Sequence, residues 1–294
     1  MNIQRALGYG AKVIDPITEL LTHTMGALFV DDTDLYTWDV NLKTGKEVYA
    51  QHQKELNQWT LLLNATGGAL SAHKCWTYLL DYECNEGEWE CTQMVDIDMT
   101  IPNPDGTRST ITLENLEEHK KTLGVWDNPL GGNDKHCSVV HDKMEEWINR
   151  MKNGRPPAHI AWLGYRLQLW AGLRYGIGTM TNSLEKAREV LANLDYELLP
   201  ILGIARTIKL GWRRLHTTFG GFGLLDFPTE QFIGRLNLLL QHYHTSSKLG
   251  QKLDASLHYL QLHLGTPTCP FYLDYDKWSF LSPLCWTKVF MADT

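Results

Sequence analysis

Two adjacent aspartates, Asp31 and Asp32, with a further acid at Asp34, are the residues of this chain best suited to chemistry. Carboxylates about 4 Å apart repel each other by roughly 4 kcal/mol at an effective dielectric of about 20. A hard divalent cation removes that repulsion, and Mg²⁺ commonly takes one or two carboxylates together with substrate phosphates. Taken alone the pair has a plainer reading, because Asp is also a favoured residue of surface turns.

A second chemistry-bearing stretch is basic. Residues 150–214 hold 11 Lys/Arg against 4 Asp/Glu, whereas 1–149 hold 11 against 24 and 215–294 hold 5 against 6. The formal net charge of −7 therefore hides an acidic part suited to metal and a basic part suited to phosphate. Arg150, Lys152, Arg155, Arg166 and Arg174 come first in the basic part, and Arg206, Lys209, Arg213 and Arg214 follow. Trp162, Tyr165 and Trp170 are interleaved with them. Aromatic rings among cations can stack on bases, but a helical core uses the same rings. The Trp residues are expected in the core and the Arg/Lys residues at phosphates.

Residues 25–38 read as a strand, a tight acidic turn and a second strand, with Leu28, Val30 and Leu35 flanking the aspartates. Thr44-Gly45-Lys46-Glu47 has the form of a capping box opening a helix to about Ala65, with Leu56, Trp59 and Leu63 on one face and Gly67-Gly68 ending it. Leu70 to Glu83 reads as extended, with Lys74 on one side. Residues 84–110 read as polar hairpins, and Lys121 to Trp126 as a short strand. Helices are predicted over Asn133–Asn153, with Val140, Met144, Trp147 and Met151 on a stripe, and from Pro156-Pro157 onward, with Ile160, Leu163, Leu167 and Trp170 aligned. Asn182 with Glu185 fits another capping box, leading to Leu184, Leu191 and Leu194, and two more helices are expected at about 227–243 and 247–264, after Gly220-Gly221-Phe222-Gly223. Strands precede helices, so the class is α+β with a helical C-terminal half.

Ala27-Leu28-Phe29-Val30-Asp31-Asp32-Thr33-Asp34 resembles the aromatic-x-Asp-Asp hairpin of reverse transcriptases. Asn64 to Cys75, carrying Gly67-Gly68 and Lys74, stands where those enzymes place a Gly-rich turn and a strand lysine. Thr122-Leu123-Gly124-Val125-Trp126 looks like the strand that grips the primer end, and Gly220 to Leu224 is similar to a segment after the thumb of non-LTR retrotransposon polymerases. The palm motifs cover about residues 25–130; the thumb match rests on helical character and position. The resemblance implies a partial palm, an antiparallel sheet with a packed helix, over 1–130. A helical thumb over 131–215 and a helical C-terminal region over 216–294 follow.

The resemblance also implies roles. Asp31 would hold catalytic Mg²⁺ (or Mn²⁺) with Asp32 in support, and Phe29 and Val30 would floor the primer terminus. Lys74 would sit by the incoming deoxynucleoside triphosphate and protonate or neutralise the leaving pyrophosphate. Leu123, Gly124, Arg150, Arg155, Arg166 and Arg174 would touch an RNA/DNA template-primer. The reaction that the resemblance implies is attack of a 3′-hydroxyl on an α-phosphate. A complete site of this kind needs another metal-binding aspartate on an earlier strand and basic fingers. Only Asp15 and Glu19 are acids before Phe29, and Ile14-Asp15-Pro16 reads as a loop. The expectation is a fragment that is inert alone. Two other readings stand beside it: a non-catalytic helical nucleic-acid or protein-interaction module, and another metal-dependent phosphoryl-transfer enzyme using Asp31, Asp32 and Asp34.

The six cysteines form no CxxC pair, and free thiols in a reducing compartment are the plain reading. His136 and His141 near Cys137 lack a second ligand pair and are expected on a solvated helix start. No apolar run approaches the ~20 residues of a membrane span, and the N-terminus lacks the features of a signal or transit peptide. An intracellular protein with no membrane partner is expected.

Overall fold

All strands of the described residues lie between Ala11 and Asp127, and the α-helices from Asp134 onward follow them. The α+β class holds. The computed structural model describes residues 6–29, 32–92, 98–103, 105–180, 184–274 and 277. They belong to two units: one of 1–118, 128–130 and 246–267, the other of 119–127, 131–245 and 268–294.

The first unit holds β1 (Ala11–Ile14), β2 (Leu21–Thr24), β3 (Gly26–Phe29), β4 (Asp32–Leu35), α1 (Gly45–Ala65), β5 (Trp76–Thr77), β6 (Asp81–Asn85), β7 (Glu88–Thr92), β8 (Met99–Pro102) and β9 (Arg108–Leu113). The expected single palm sheet is not what they build. Among the described residues β5, β9 and β8 form one three-stranded sheet, while β1–β2, β3–β4 and β6–β7 are separate antiparallel hairpins. The hairpin strands, four or five residues long, pair with their sequence neighbours, whereas the two-residue β5 pairs in parallel with the distant β9.

The capping box of α1 is present: Thr44 accepts from Glu47 N while the Glu47 carboxylate accepts from the Thr44 backbone. Tyr49 and Leu56 on α1 join Leu79, Met99, Ile101 and Ile111 in the core of this unit, and Leu35 at the end of β4 packs against them. Gln53 fixes the helix to the edge of β8, donating to Thr100 O at 2.7 Å and accepting from Thr100 N at 2.8 Å. Leu35 thereby ties the acidic hairpin to the core. The late helix α8 (Lys248–Leu264), capped by Ser247, belongs to this unit and contacts β2.

The second unit holds β10 (Lys120–Thr122), β11 (Val125–Asp127), α2 (Asp134–Gly154), α3 (Ala158–Gly164), α4 (Trp170–Ile177), α5 (Leu184–Ile201), α6 (Leu210–Arg214) and α7 (Phe227–His242). The predicted strand over 121–126 is in fact the β10–β11 hairpin, with Leu123 (φ 50°) and Gly124 (φ 89°) at its turn. Left-handed backbone at both central residues suits the strand twist; Gly adopts it freely, but Leu hides the signal. On α2, Val140, Met144 and Trp147 are buried as predicted.

The stripe expected after Pro157 fails. Leu167 is 73% exposed, and Ile160 and Leu163 are also exposed. The cause is a π-helical turn, Tyr165–Leu169, between α3 and α4, in which Trp170 N donates to Tyr165 O. One extra residue in the turn rotates the buried face onto Ala161, Tyr165, Leu169, Trp170, Leu173 and Ile177. Tyr165 is the hub: the rings of Trp147, Trp162 and Trp170 meet it edge-on at 5.8–6.4 Å, and its hydroxyl accepts from Leu225 N. The expectation of core Trp residues holds for Trp170, and Trp162 packs against the same core. Asn182 lies outside the described residues, as do the side chains of Leu184, Leu191 and Leu194.

Candidate functional site

The β3–β4 hairpin pairs Gly26 with Leu35, Ala27 with Asp34, Leu28 with Thr33 and Phe29 with Asp32. Val30 and Asp31, which come between Phe29 and Asp32 in the sequence, lie outside the described residues, and so does the side chain of Phe29. Asp32 is exposed at the start of β4. Asp34, two residues on, shares its face of the strand. Burial and then the charge of Asp32 push the Asp34 carboxyl above the ordinary range. The negative charge of Asp32 is thus felt at Asp34.

Lys74 departs from the expectation. It ends a single 3₁₀ turn, Ala72–Lys74, and is not on a strand. Lys74 N donates to Ser71 O at 2.9 Å and Cys75 N to Ala72 O at 3.0 Å, so the chain becomes extended only at Trp76. The exposed Lys74 side chain makes no ion pair with Asp32 or Asp34. Leu123 and Gly124 belong to the second unit, where the turn backbone of Gly124 faces the Tyr175 ring.

The named arginines differ in what they have left to offer. Arg150 is paired with Glu146 one turn earlier, and Arg174 with Glu230 at 2.8 Å. Arg155 caps α2 in a left-handed conformation (φ 43°) and is exposed. Arg166 lies 5.7 Å from the centroid of the Trp162 ring, with no acid partner among the described residues. Lys152 pairs with Glu197 at 2.7 Å, and Lys186 with Asp134. Much of the positive charge of this segment is neutralised locally.

Two buried polar constellations in the first unit were not legible as sites. The Asp15 carboxylate, buried at the turn after β1, accepts from Ile17 N and Thr18 N, both at 2.8 Å, and from His258 Nδ1 on α8 at 2.6 Å. Burial would raise its pKa, but the Thr18 and Ile17 N–H groups and His258 together hold it below the ordinary value. Asp15 is thus committed to structure and poorly placed to be a further metal ligand. The second constellation joins Glu55, Thr37 and His52. Glu55 is buried on α1 and accepts from Gly10 N (3.2 Å), Gln51 Nε2 (3.3 Å) and Thr37 Oγ1 (2.7 Å). His52 Nδ1 meets the same Thr37 hydroxyl at 2.7 Å. Burial raises the Glu55 pKa and pushes His52 down to about 4. The signal available was phase: Glu55 stands beside Leu56 on the buried face of α1.

His136 is not on a solvated helix start. It is buried, its Nδ1 accepts from Trp126 N at 3.4 Å, and burial followed by the charge of Lys143 lowers its pKa. His141, Asp142 and Glu145 on α2 have ligand atoms within 4.8 Å of one another, a surface cluster not foreseen from the sequence. The described cysteines are free thiols. No described helix is long and apolar enough to cross a membrane. Comparison with protein families, with curated proteins and with solved structures gives no match to this chain.

Proposed function

We propose that this chain is part of a retroelement-type reverse transcriptase, spanning an Asp-Asp hairpin and a helical region that holds template-primer. The observation that carries the reading is the β3–β4 register, in which Phe29 opposes Asp32, the second aspartate of the Asp31-Asp32 sequence. The capped helix α1 and the Gly67 turn (φ 83°) that follows it support the same reading. In this account Mg²⁺ or Mn²⁺ binds at Asp31 and Asp32, with Asp34 adding charge. The metal supplies the electrostatic stabilisation of phosphoryl transfer. Leu123 and Gly124 at the β10–β11 turn, with Arg155 and Arg166, meet the nucleic acid, and the protein acts inside the cell.

The 294 residues on their own are not expected to polymerise, since Asp15 is engaged by backbone N–H groups and His258. The direct test is binding to an RNA/DNA hybrid. About four phosphate contacts give a slope of log affinity against log salt of about −3 to −4. No salt-dependent binding at low ionic strength would remove the reading.

A second reading, a non-catalytic helical nucleic-acid or protein-interaction module derived from such an element, draws on a specific observation. Lys74 is off any strand and unpaired with Asp32 or Asp34. Primer extension separates the two: incorporation by a preparation completed with fingers and lost in Asp31→Ala supports the enzyme, and none supports the module.

A further inference from the structure

Between Glu197 and Asp226 the chain carries no acid, but it carries Arg206, Lys209, Arg213 and Arg214. The stretch folds back on itself within the second unit. Phe222 N donates to Trp212 O at 3.0 Å, Gly223 N to Leu215 O at 2.9 Å and Leu224 N to Arg213 O at 2.8 Å. The return needs glycine at 221, where a Cβ would run into the Leu215 carbonyl. Arg213 donates to Ile208 O (2.7 Å) and Arg206 O (2.9 Å), and Arg214 holds the Leu225 carbonyl and Asp226. His216 Nδ1 accepts from Thr218 N at 3.2 Å and fixes the turn before Phe219. The loop is a built frame, with the two later arginines as its struts.

On that frame the rings are outside. Trp212 is 53% exposed and Phe219 is 73% exposed. Two cations remain exposed: Arg206 lies over the Tyr196 ring at 4.9 Å, where its charge also reaches Glu197, and Lys209 has no acid partner among the described residues. Exposed rings and cations sharing one stretch of chain, with no acid for 28 residues of sequence, complement a polyanion that also has π faces.

We infer that residues 206–223 form a stacking platform for single-stranded nucleic acid, with Trp212 and Phe219 taking bases and Lys209 and Arg206 taking phosphates. The inference rests on the polymerase-related reading only in naming the single strand as the polymer the second unit meets. It requires no metal.

The test uses the full chain in a chelating buffer, with fluorescence anisotropy of labelled oligothymidylate of about 12 nucleotides, a typical site size. An abasic chain of the same phosphate count is the comparison. Base stacking predicts tighter binding of the thymidylate. Trp212→Ala and Phe219→Ala should each weaken it by about 5- to 100-fold while leaving the abasic chain unaffected. Trp212→Tyr, which keeps a ring, should retain most of the affinity. Lys209→Ala should lower the salt slope by about 0.7 on both chains. Both rings are exposed, so thermal unfolding of the alanine variants should match the parent, and Phe219→Ala carries the test if Trp212→Ala does not fold. Equal affinity for the two chains with silent ring variants would overturn the platform. So would ring variants that change only self-association in sedimentation, or only binding to phosphatidylserine vesicles, since the loop would then be a protein or membrane surface. Because binding is read without metal, this failure leaves the Asp31-Asp32 site standing, and failure of that site leaves the platform standing.

Discussion

Asp15 Oδ2 lies 2.6 Å from Nδ1 of His258, and the two residues are 243 positions apart in the chain. Beside them Tyr259 donates to Ile14 O at 3.0 Å, so one face of α8 is pinned to the end of β1. Asp15→Ala should destabilise the first unit by about 2–4 kcal/mol, because it strands two backbone N–H groups and the His258 ring. The folded pKa of Asp15 is depressed, so its contribution is fully present above the unfolded value of ~3.9 and is lost as pH falls through the folded value. Acid unfolding followed by circular dichroism should show a smaller variant–parent gap at low pH than at neutral pH. A gap independent of pH would contradict the ionised role of Asp15.

The Glu55–Thr37–His52 group predicts two opposed pH effects. His52 titrates at about 4 in the folded state, below its ordinary value, so its burial removes stability at low pH and ceases to do so as pH rises to ~6.5. Glu55 is raised, so its ionisation costs stability as pH climbs from the ordinary carboxylate value through the folded one. His52→Gln should flatten the acid limb of a melting-temperature profile. Glu55→Gln should be neutral or stabilising at pH ~7, provided the Thr37 hydroxyl reverses and donates to His52, whereas Glu55→Ala should cost about 2–3 kcal/mol. Equal losses for the two Glu55 variants would refute the hydroxyl relay.

At the β10–β11 turn, Leu123 holds φ 50° and Gly124 φ 89°. Leu123→Asn or Leu123→Gly should therefore stabilise the hairpin by about 0.5–1 kcal/mol, and Gly124→Val should destabilise it by about 1–2 kcal/mol. Thermal unfolding of the three variants checks the order. The same substitutions also ask whether this turn meets primer, since Leu123→Gly would weaken hybrid binding without harming the fold.

The arginines should separate by their partners. Arg155→Ala and Arg166→Ala should each lower the salt slope of hybrid binding by about 0.9, while Arg150→Ala and Arg174→Ala, whose charges already face Glu146 and Glu230, should lower it less. Equal effects at all four positions would mean that the ion pairs open on binding.

What was legible in the sequence was local. The Thr44–Glu47 capping box, the α7 and α8 spans and the α2 stripe depend on residues within one or two turns, and the structure has them. The single palm sheet was not there to be read, since short strands close on their neighbours and sheet assembly is a non-local matter. The π turn at Tyr165–Leu169 misled the reading of Ile160, Leu163 and Leu167, because an extra residue per turn leaves no mark in hydrophobic spacing. Leu123 disguised a hairpin as a strand. Asp15 stands in the loop that Ile14-Asp15-Pro16 predicts, but nothing near it in sequence announces His258.

Asp31 and Asp32 are proposed to hold a divalent ion for phosphoryl transfer. Paramagnetic broadening by Mn²⁺, with a deoxynucleoside triphosphate present, reads the ion's position directly from backbone amide resonances. Broadening should centre on residues 26–35 and be abolished when Asp31→Asn and Asp32→Asn are combined. Broadening that instead centres on His141, Asp142 and Glu145, or that leaves 26–35 untouched, would contradict the proposal.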